Sequence, residues 1–239
     1  MPGVVAAALM AISTLMPDQT HAAGGAYYVD TAEAASTGSC KVESWASFAG
    51  NKDFFAAAVP TCGINAAPPV EMSAQISRDR TGDEWSTAVT PRLKTNLIPT
   101  AIGAWGLGLS AAAAYDNVRR DNTALMVAAP VTLRLSNVMR INVNNGWMWD
   151  RITGRHYLTY GAGLDWRTPE NNFIFTAEIF GLAGSADVKT VTQPGFQAGI
   201  RFRPVDQYSF DIIYGRNIAG ENANWITLVS TVRFNVLDK

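Results

Sequence analysis

Apolar and polar residues alternate along most of the chain with a period of two. In QPGFQAGIRFR, residues 193–203, phenylalanine, alanine and isoleucine fall on one face of an extended strand. Gln197, Arg201 and Arg203 fall on the other face. The same alternation recurs from Cys40 onward with almost no helical periodicity, and it predicts twelve strands. Ten is the expected number if the first hairpin does not form.

The position of the aromatic residues distinguishes two folds that share this alternation. A soluble β-sandwich buries its aromatic side chains mid-strand, whereas a membrane barrel carries them near both strand ends, around an aliphatic band that faces lipid. Here they lie near predicted strand ends: Trp105, Trp166, Phe173, Phe202 and Phe210 at one end, and Tyr115, Trp147, Trp149 and Tyr214 at the other. The pattern therefore favours an all-β, transmembrane, antiparallel up-and-down β-barrel with arginines in a polar lumen.

The predicted connections alternate between two kinds. NLIPTAIG, LSNV, RTPENN and RPVDQ are tight and rich in Pro, Asn and Asp, whereas DNVRRDN, GSADVKTVTQ and NIAGENAN are longer and polar. Outer-membrane barrels show this alternation, with short periplasmic turns and longer outer loops. An even number of strands then places both ends of the barrel in the periplasm.

Composition agrees with a barrel and excludes other classes. Charged residues make up 16% of the chain, against roughly 25% in typical soluble domains. The formal net charge of −1 gives no basic footprint for nucleic acid. After the N-terminus the sequence contains no apolar run of about 18 residues, so it predicts no transmembrane helix.

The N-terminal part predicts export. Residues 4–16 are apolar over the length of a secretory h-region, and small residues follow at 22–24, although no lysine or arginine precedes Lys41. We expect a signal peptide at 1–23, a periplasmic segment or lumen plug at 24–39, and the barrel at 40–239. The alternative for the apolar run is a short buried helix.

The two cysteines are equidistant from the turn-like sequence GNKD. If the flanking segments pair as a hairpin about that turn, Cys40 and Cys62 lie opposite each other at its open end. Opposed strand positions bring Cβ atoms within reach of a disulfide, and an exported protein can keep one. Two free buried thiols are the alternative.

Inward-facing charges form a predicted belt around the lumen. Counting across the turns opposes Arg140 to Asp165, and Arg201 to both Glu178 and Asp211. The belt is either a constriction that selects solutes or a salt-bridge network that fills the lumen. Arginine and lysine outnumber the acids on this face, which favours anions. The candidate lumen charges are Arg92, Lys94, Arg134, Arg140, Asp165, Glu178, Arg201 and Asp211.

The sequence gives little support for an enzyme. A serine hydrolase needs a serine held by a base, and the only histidines are His21, in the predicted signal, and His156, near the outer rim. There is no cysteine–histidine cluster for a metal, and no cofactor is expected. An outer-membrane enzyme that modifies lipid and a soluble secreted β-sandwich that binds a ligand remain alternatives to a channel or structural barrel.

The C-terminal part resembles known outer-membrane proteins. NWITLVSTVRFNVLDK, residues 224–239, resembles the terminal strand of Gram-negative outer-membrane barrels, which is recognised by the barrel-assembly machinery. The wider stretch at 195–234 resembles an outer-membrane family associated with phenol-degradation gene clusters. The resemblance implies a transport role in the outer membrane of a Gram-negative bacterium. Its implied partners are outer-membrane lipid, the assembly machinery and small solutes.

Overall fold

Twelve antiparallel strands form one closed barrel in the computed structural model, which describes residues 25–169, 172–184, 194–218 and 223–236. Each strand pairs with its neighbours in the chain, and β1 closes the barrel on β12. The strands are β1 (Ser39–Ala49), β2 (Phe54–Ile64), β3 (Val70–Thr81), β4 (Glu84–Ile98), β5 (Trp105–Asp116), β6 (Asp121–Arg134), β7 (Met139–Asp150), β8 (Arg155–Arg167), β9 (Phe173–Gly184), β10 (Gly195–Val205), β11 (Tyr208–Asn217) and β12 (Asn224–Asn235). The predicted fold class is confirmed, with twelve strands rather than ten.

The two ends of the barrel differ in the chain segments they carry. The terminal end, as we call it, carries Ser39, Asn235 and the connections 65–69, 99–104, 135–138, 168–172 and 206–207. The far end carries the connections 50–53, 82–83, 117–120, 151–154, 185–194 and 218–223. The longest of these connections, 185–194, joins β9 to β10 at the far end, where the longer loops are predicted.

The outer face of the barrel is apolar along its whole circumference. Alternate residues of the strands expose large side chains, among them Ile212 at 63% and Leu228 at 50%. Exposed aromatic residues lie near both ends, including Trp105 and Phe173 at the terminal end and Trp147 and Tyr214 at the far end. A soluble monomer rarely exposes such a continuous apolar surface, so the soluble β-sandwich alternative is wrong. The described residues contain no helix long and apolar enough to cross a membrane.

The inner face is polar and packed. Thr132, Gln197 and Ser209 are fully buried there, and the arginines of QPGFQAGIRFR point inward as the alternation predicts. Membrane barrels have this arrangement because the strand period of two places lipid-facing and lumen-facing residues in turn.

A charge placed on the outer face should therefore lower the free energy of unfolding more at mid-strand than at a strand end. We expect Ile212→Arg, in the middle of β11, to lower the free energy of unfolding in lipid vesicles by about 2–4 kcal/mol, the cost of arginine at the bilayer midplane. Val205→Arg, at the terminal end of β10, is the matched control and should cost at most about 1 kcal/mol. Equal effects at the two positions, measured by guanidinium unfolding, would show that this face does not meet lipid.

Candidate functional site

A stretch of irregular chain, residues 25–36, lies inside the barrel, and we call it the lumen segment. Five of its backbone N–H groups donate to inward side-chain oxygens on four strands. These bonds join Ala26 to Glu43 (2.9 Å), Tyr28 and Val29 to Glu178 (2.7 and 2.8 Å), Ala32 to Thr132 (2.8 Å) and Ala35 to Glu71 (2.9 Å). A buried backbone amide must find a partner, and here the barrel wall supplies it.

Glycines on the inner face of the wall make room for the lumen segment. A Cβ atom at Gly108 would lie 2.8 Å from the carbonyl oxygen of Ala32, and one at Gly161 would lie 2.8 Å from Val29 Cγ2. A Cβ atom at Gly199 would lie 2.5 Å from the Tyr27 hydroxyl. Larger residues at these positions would overlap the segment, so the wall is shaped to the chain that crosses it.

Asp30 is the most strongly held residue of the lumen segment. Its carboxylate accepts a hydrogen bond from Lys94 Nζ at 2.9 Å and a second from Arg92. The side chains of Arg92 and Lys94 are only 6% and 3% exposed. The Asn144 amide, oriented with its oxygen towards the Asp30 N–H, accepts from that group at 2.8 Å and donates to the Asp30 carbonyl at 2.9 Å. Two buried cations of the wall therefore have their hydrogen-bonded carboxylate partner on the segment.

Two ion pairs of the predicted belt join neighbouring strands. Arg140 Nε donates to Asp165 at 2.6 Å between β7 and β8, and Arg201 donates to both carboxylate oxygens of Asp211 between β10 and β11. Arg140 also lies 3.4 Å from Glu33 of the lumen segment. Arg134 lies opposite Arg140 in the β6–β7 register at the terminal end, so these two cations are adjacent.

The predicted opposition of Glu178 and Arg201 is wrong. The β9–β10 register pairs Glu178 with Gln197 and Arg201 with Ile174. A tight turn fixes hairpin register, but β9 and β10 are joined by the long connection 185–194, whose midpoint does not fix it. Glu178 instead accepts hydrogen bonds from Gln197 and the lumen segment, so its charge belongs to the segment's binding site.

A disulfide lies where the lumen segment leaves the barrel wall. Cys40 and Cys62 are directly opposite in the β1–β2 register and are joined. Gly63, the next residue, forms an isolated bridge with Thr37, and its carbonyl accepts a hydrogen bond from Gly38 N–H at 3.0 Å. The bond therefore ties together the two strands on which the segment is rooted.

The lumen segment lies between two cavities. The far-end cavity, of about 120 Å³, is lined by Ala26 and Tyr28 of the segment and by wall residues that include Trp45 and Trp225. The terminal cavity, of about 130 Å³, is lined by Glu33 of the segment together with Arg134, Ser136, Asn137, Val138, Met139, Arg140, Asp165, Arg167 and Ile174. Arg92, Lys94, Glu178 and Thr132 contact the segment between these two spaces.

Sequence reasoning missed Glu43, Asp30 and the role of the inner glycines. From the sequence, a carboxylate on the inner face is predicted to be a lumen charge. The structure shows instead that Glu43 accepts a hydrogen bond from a backbone amide of the lumen segment. The available signal was glycine at inward positions of GLGLS, GAGLD and QAGI. Several glycines at inward positions leave space inside the barrel, which indicates that another part of the chain fills it.

The predicted enzyme candidate His156 faces outward. His156 is on the outer face near the far end, where its ring stacks on Trp147 and Trp149 at centroid distances of 5.3 and 6.0 Å. Within the described ranges, no group of three or more histidine, cysteine or acidic side chains could hold a metal ion.

The barrel has the fold of outer-membrane channels of known structure. It is similar to the KdgM porin solved in complex with disordered oligogalacturonate, with a TM-score of 0.63 and 7% identity over 82% of this chain and 99% of that one. It is similar to the NanC porin, with a TM-score of 0.62 and 6% identity over 80% and 98% of the two chains. The COG4313 outer membrane channel from Pseudomonas putida F1 gives 0.55 and 13% over 84% and 97%. At such identities the likeness shows the fold.

Two sequence comparisons complete this picture. No curated protein sequence matches the chain. The model of a family described as "Uncharacterised conserved protein UCP029691" matches residues 11–234.

Proposed function

We propose that this chain, which belongs to the family UCP029691, is a narrow outer-membrane channel whose lumen is closed by its own residues 25–36. The observation that carries the proposal is the set of hydrogen bonds and ion pairs that hold the lumen segment between two cavities. The barrel closes through β1 and β12 without the segment, so the wall can persist when the segment leaves.

A polar lumen with buried charges supports passage of solutes rather than a purely structural barrel. Membrane barrels of this size fall between small barrels filled by side chains and wide porins with an aqueous channel. Here part of the filling comes from residues 25–36, whose backbone N–H groups are hydrogen-bonded to side chains of the wall. Such a filling can be removed without unpairing a strand.

Removal of the segment would leave a lumen that favours anions. Asp30 and Glu33 leave with the segment, so Arg92, Lys94 and Arg140 each lose a carboxylate partner. The KdgM porin, solved with the acidic chain oligogalacturonate, has the same fold. We propose small anions as the solutes of the open form. The terminal end of the barrel would face the periplasm. Outer-membrane lipid and the barrel-assembly machinery would be its partners.

We further propose that the chain is not an enzyme. The stacking of His156 between two outward tryptophans suits a residue of the interfacial aromatic belt, where amphipathic rings lie at headgroup level. A lipid-directed hydrolase would need this histidine beside a nucleophile, so phospholipase activity lost in His156→Ala would contradict the proposal.

Planar-bilayer conductance tests the closed channel. The full chain should give rare or no current steps, and the chain without residues 1–36 should give frequent discrete steps. In a salt gradient, the reversal potential of the truncated chain should show anion preference. Heat-modifiable mobility on gels checks that the truncated barrel still folds.

Two results would contradict the proposal. Equal step frequency with and without the segment would show that residues 25–36 do not close the lumen. No steps from a folded truncated barrel would show that the lumen does not conduct, and the barrel would then be a structural component.

A further inference from the structure

The terminal cavity holds more cations than its carboxylates neutralise. Arg134, Arg140 and Arg167 line it. Arg134 and Arg140 flank the tight turn 135–138 between β6 and β7, and Arg167 is at the adjacent end of β8. Asp165 is engaged by Arg140 at 2.6 Å and also accepts from Asn142 and Thr176. Glu33 forms one ion pair among the described residues, with Arg140 at 3.4 Å, and its side chain is 40% exposed.

Within the described ranges, Arg134 and Arg167 have no carboxylate partner. Among the described residues neither guanidinium lies within 4 Å of an acidic oxygen, and both side chains are half-buried. Arg167 also lies within electrostatic range of Arg203, Arg140 and Arg134. Like charges held this close in a partly buried space repel one another, and an anion placed among them would relieve that repulsion.

The cavity has the size and the donors for a small oxyanion. Its volume of about 130 Å³ is well above the roughly 10–15 Å³ that one water needs by the same measure. Arginine forks match the geometry of phosphate and carboxylate oxygens. The Ser136 hydroxyl oxygen accepts from the backbone N–H groups of Val138 and Met139, so its own hydrogen can be donated into the cavity.

We propose that the terminal cavity is a binding site for a small soluble oxyanion, phosphate or a short carboxylate, held by Arg134, Arg167 and Arg140. Glu33 of the lumen segment occupies the edge of the same cavity and competes with that anion for Arg140. This goes beyond the proposed channel, because binding at the mouth requires neither conduction nor movement of the segment. The three arginines lie on the inner face of the barrel, at the same alternate positions as Thr132, Asn142 and Asp165, which favours a dissolved anion over a lipid headgroup.

Calorimetric titration of the refolded full chain with inorganic phosphate tests the site, in a nonionic detergent without added lipid and at low ionic strength. We expect saturable binding of one phosphate per chain. Arg134→Gln and Arg167→Gln should each weaken it about tenfold or more, as loss of a charge-assisted hydrogen bond predicts. Glu33→Gln should strengthen binding several-fold, because it removes the competing carboxylate.

Matched variants separate a specific site from general attraction. Arg119→Gln removes an exposed arginine from the far-end turn 117–120 and should leave phosphate affinity unchanged. Arg134→Lys keeps the positive charge but removes the two-pronged guanidinium, and its phosphate affinity should be intermediate. An intermediate affinity shows that the loss in Arg134→Gln is not caused by misfolding. Absence of saturable binding, or equal loss in Arg119→Gln, would overturn the proposal. Either result leaves the conductance test of the closed channel unaffected.

Discussion

The lumen segment should leave the barrel more often in Asp30→Asn than in the unmodified chain. The carboxylate of Asp30 is the counter-ion of Arg92 and Lys94, whose side chains are almost completely buried while the segment is in place. Breaking a buried pair by removing one partner typically costs about 3–5 kcal/mol, because the other charge is left uncompensated. When the segment leaves, water can enter the lumen and solvate both cations. The substitution therefore destabilises the closed state and leaves the open state unaffected.

The loss of stability in Asp30→Asn is reduced by the partners that Lys94 and the backbone of residue 30 keep. Glu71 lies opposite Lys94 in the β3–β4 register and offsets part of the lost charge. Asn144 still binds the backbone of residue 30. We therefore expect the lower end of the range, about 3 kcal/mol, which shifts the ratio of closed to open states on the order of 10²-fold.

Hydrogen exchange of residues 25–36 measures the shift directly, since six of their amides are bonded to wall side chains. Exchange should accelerate on the order of 10²-fold in Asp30→Asn, with more frequent conductance steps. Asp206→Asn is the control, because the 93% exposed side chain of Asp206 pairs with Arg203 at 3.6 Å, and loss of such a pair should cost at most about 1 kcal/mol. Exchange as slow as in the unmodified chain would show that Asp30 does not hold the segment.

The barrel could be predicted from the sequence because its two faces meet different solvents. Lipid outside and a polar lumen inside impose opposite residue types at alternate positions, and the alternation was readable in every strand. Register could be predicted where a tight turn joins two strands, as in the facing positions of Arg140 and Asp165 across 151–154 or Arg201 and Asp211 across 206–207. It failed for Glu178 and Arg201, where the connection is long.

The arrangement inside the lumen could not be predicted in the same way. The lumen segment has no periodicity, since its backbone binds side chains rather than a neighbouring strand. Its partners Glu43, Glu71, Thr132 and Glu178 lie on four strands that only barrel closure brings around one space. A belt predicted by counting strand positions from the turns contains only charges of the wall. It omits Asp30, whose charge lies on the segment inside the lumen.

The inner glycines provide the second large expected effect, at the point where the lumen segment is rooted. A Cβ atom at Gly63 would lie 2.1 Å from the carbonyl oxygen of Ser36 and 2.4 Å from that of Ala35. Both are backbone atoms, so the overlap cannot be relieved by rotating a side chain. The wall is held by the neighbouring Cys62, which is bonded to Cys40, so we expect the segment to move.

Gly63→Ala should therefore loosen the lumen segment from its root. Overpacking of this kind costs about 1–3 kcal/mol, and the displaced backbone also weakens the bond from Ala35 N–H to Glu71. Hydrogen exchange at 25–36 should accelerate by about five-fold to 100-fold, while the barrel keeps its heat-modifiable mobility. Gly184→Ala is the matched control, since a Cβ there would find its nearest neighbour 3.7 Å away, at Tyr157. Equal acceleration in both variants would show a general loss of packing, and none in Gly63→Ala would show that the root of the segment yields without releasing the rest.

The contrast with Asp30→Asn is informative, because one substitution removes a charge at the centre of the segment and the other crowds its root. If both raise conductance, residues 25–36 leave the lumen as one unit.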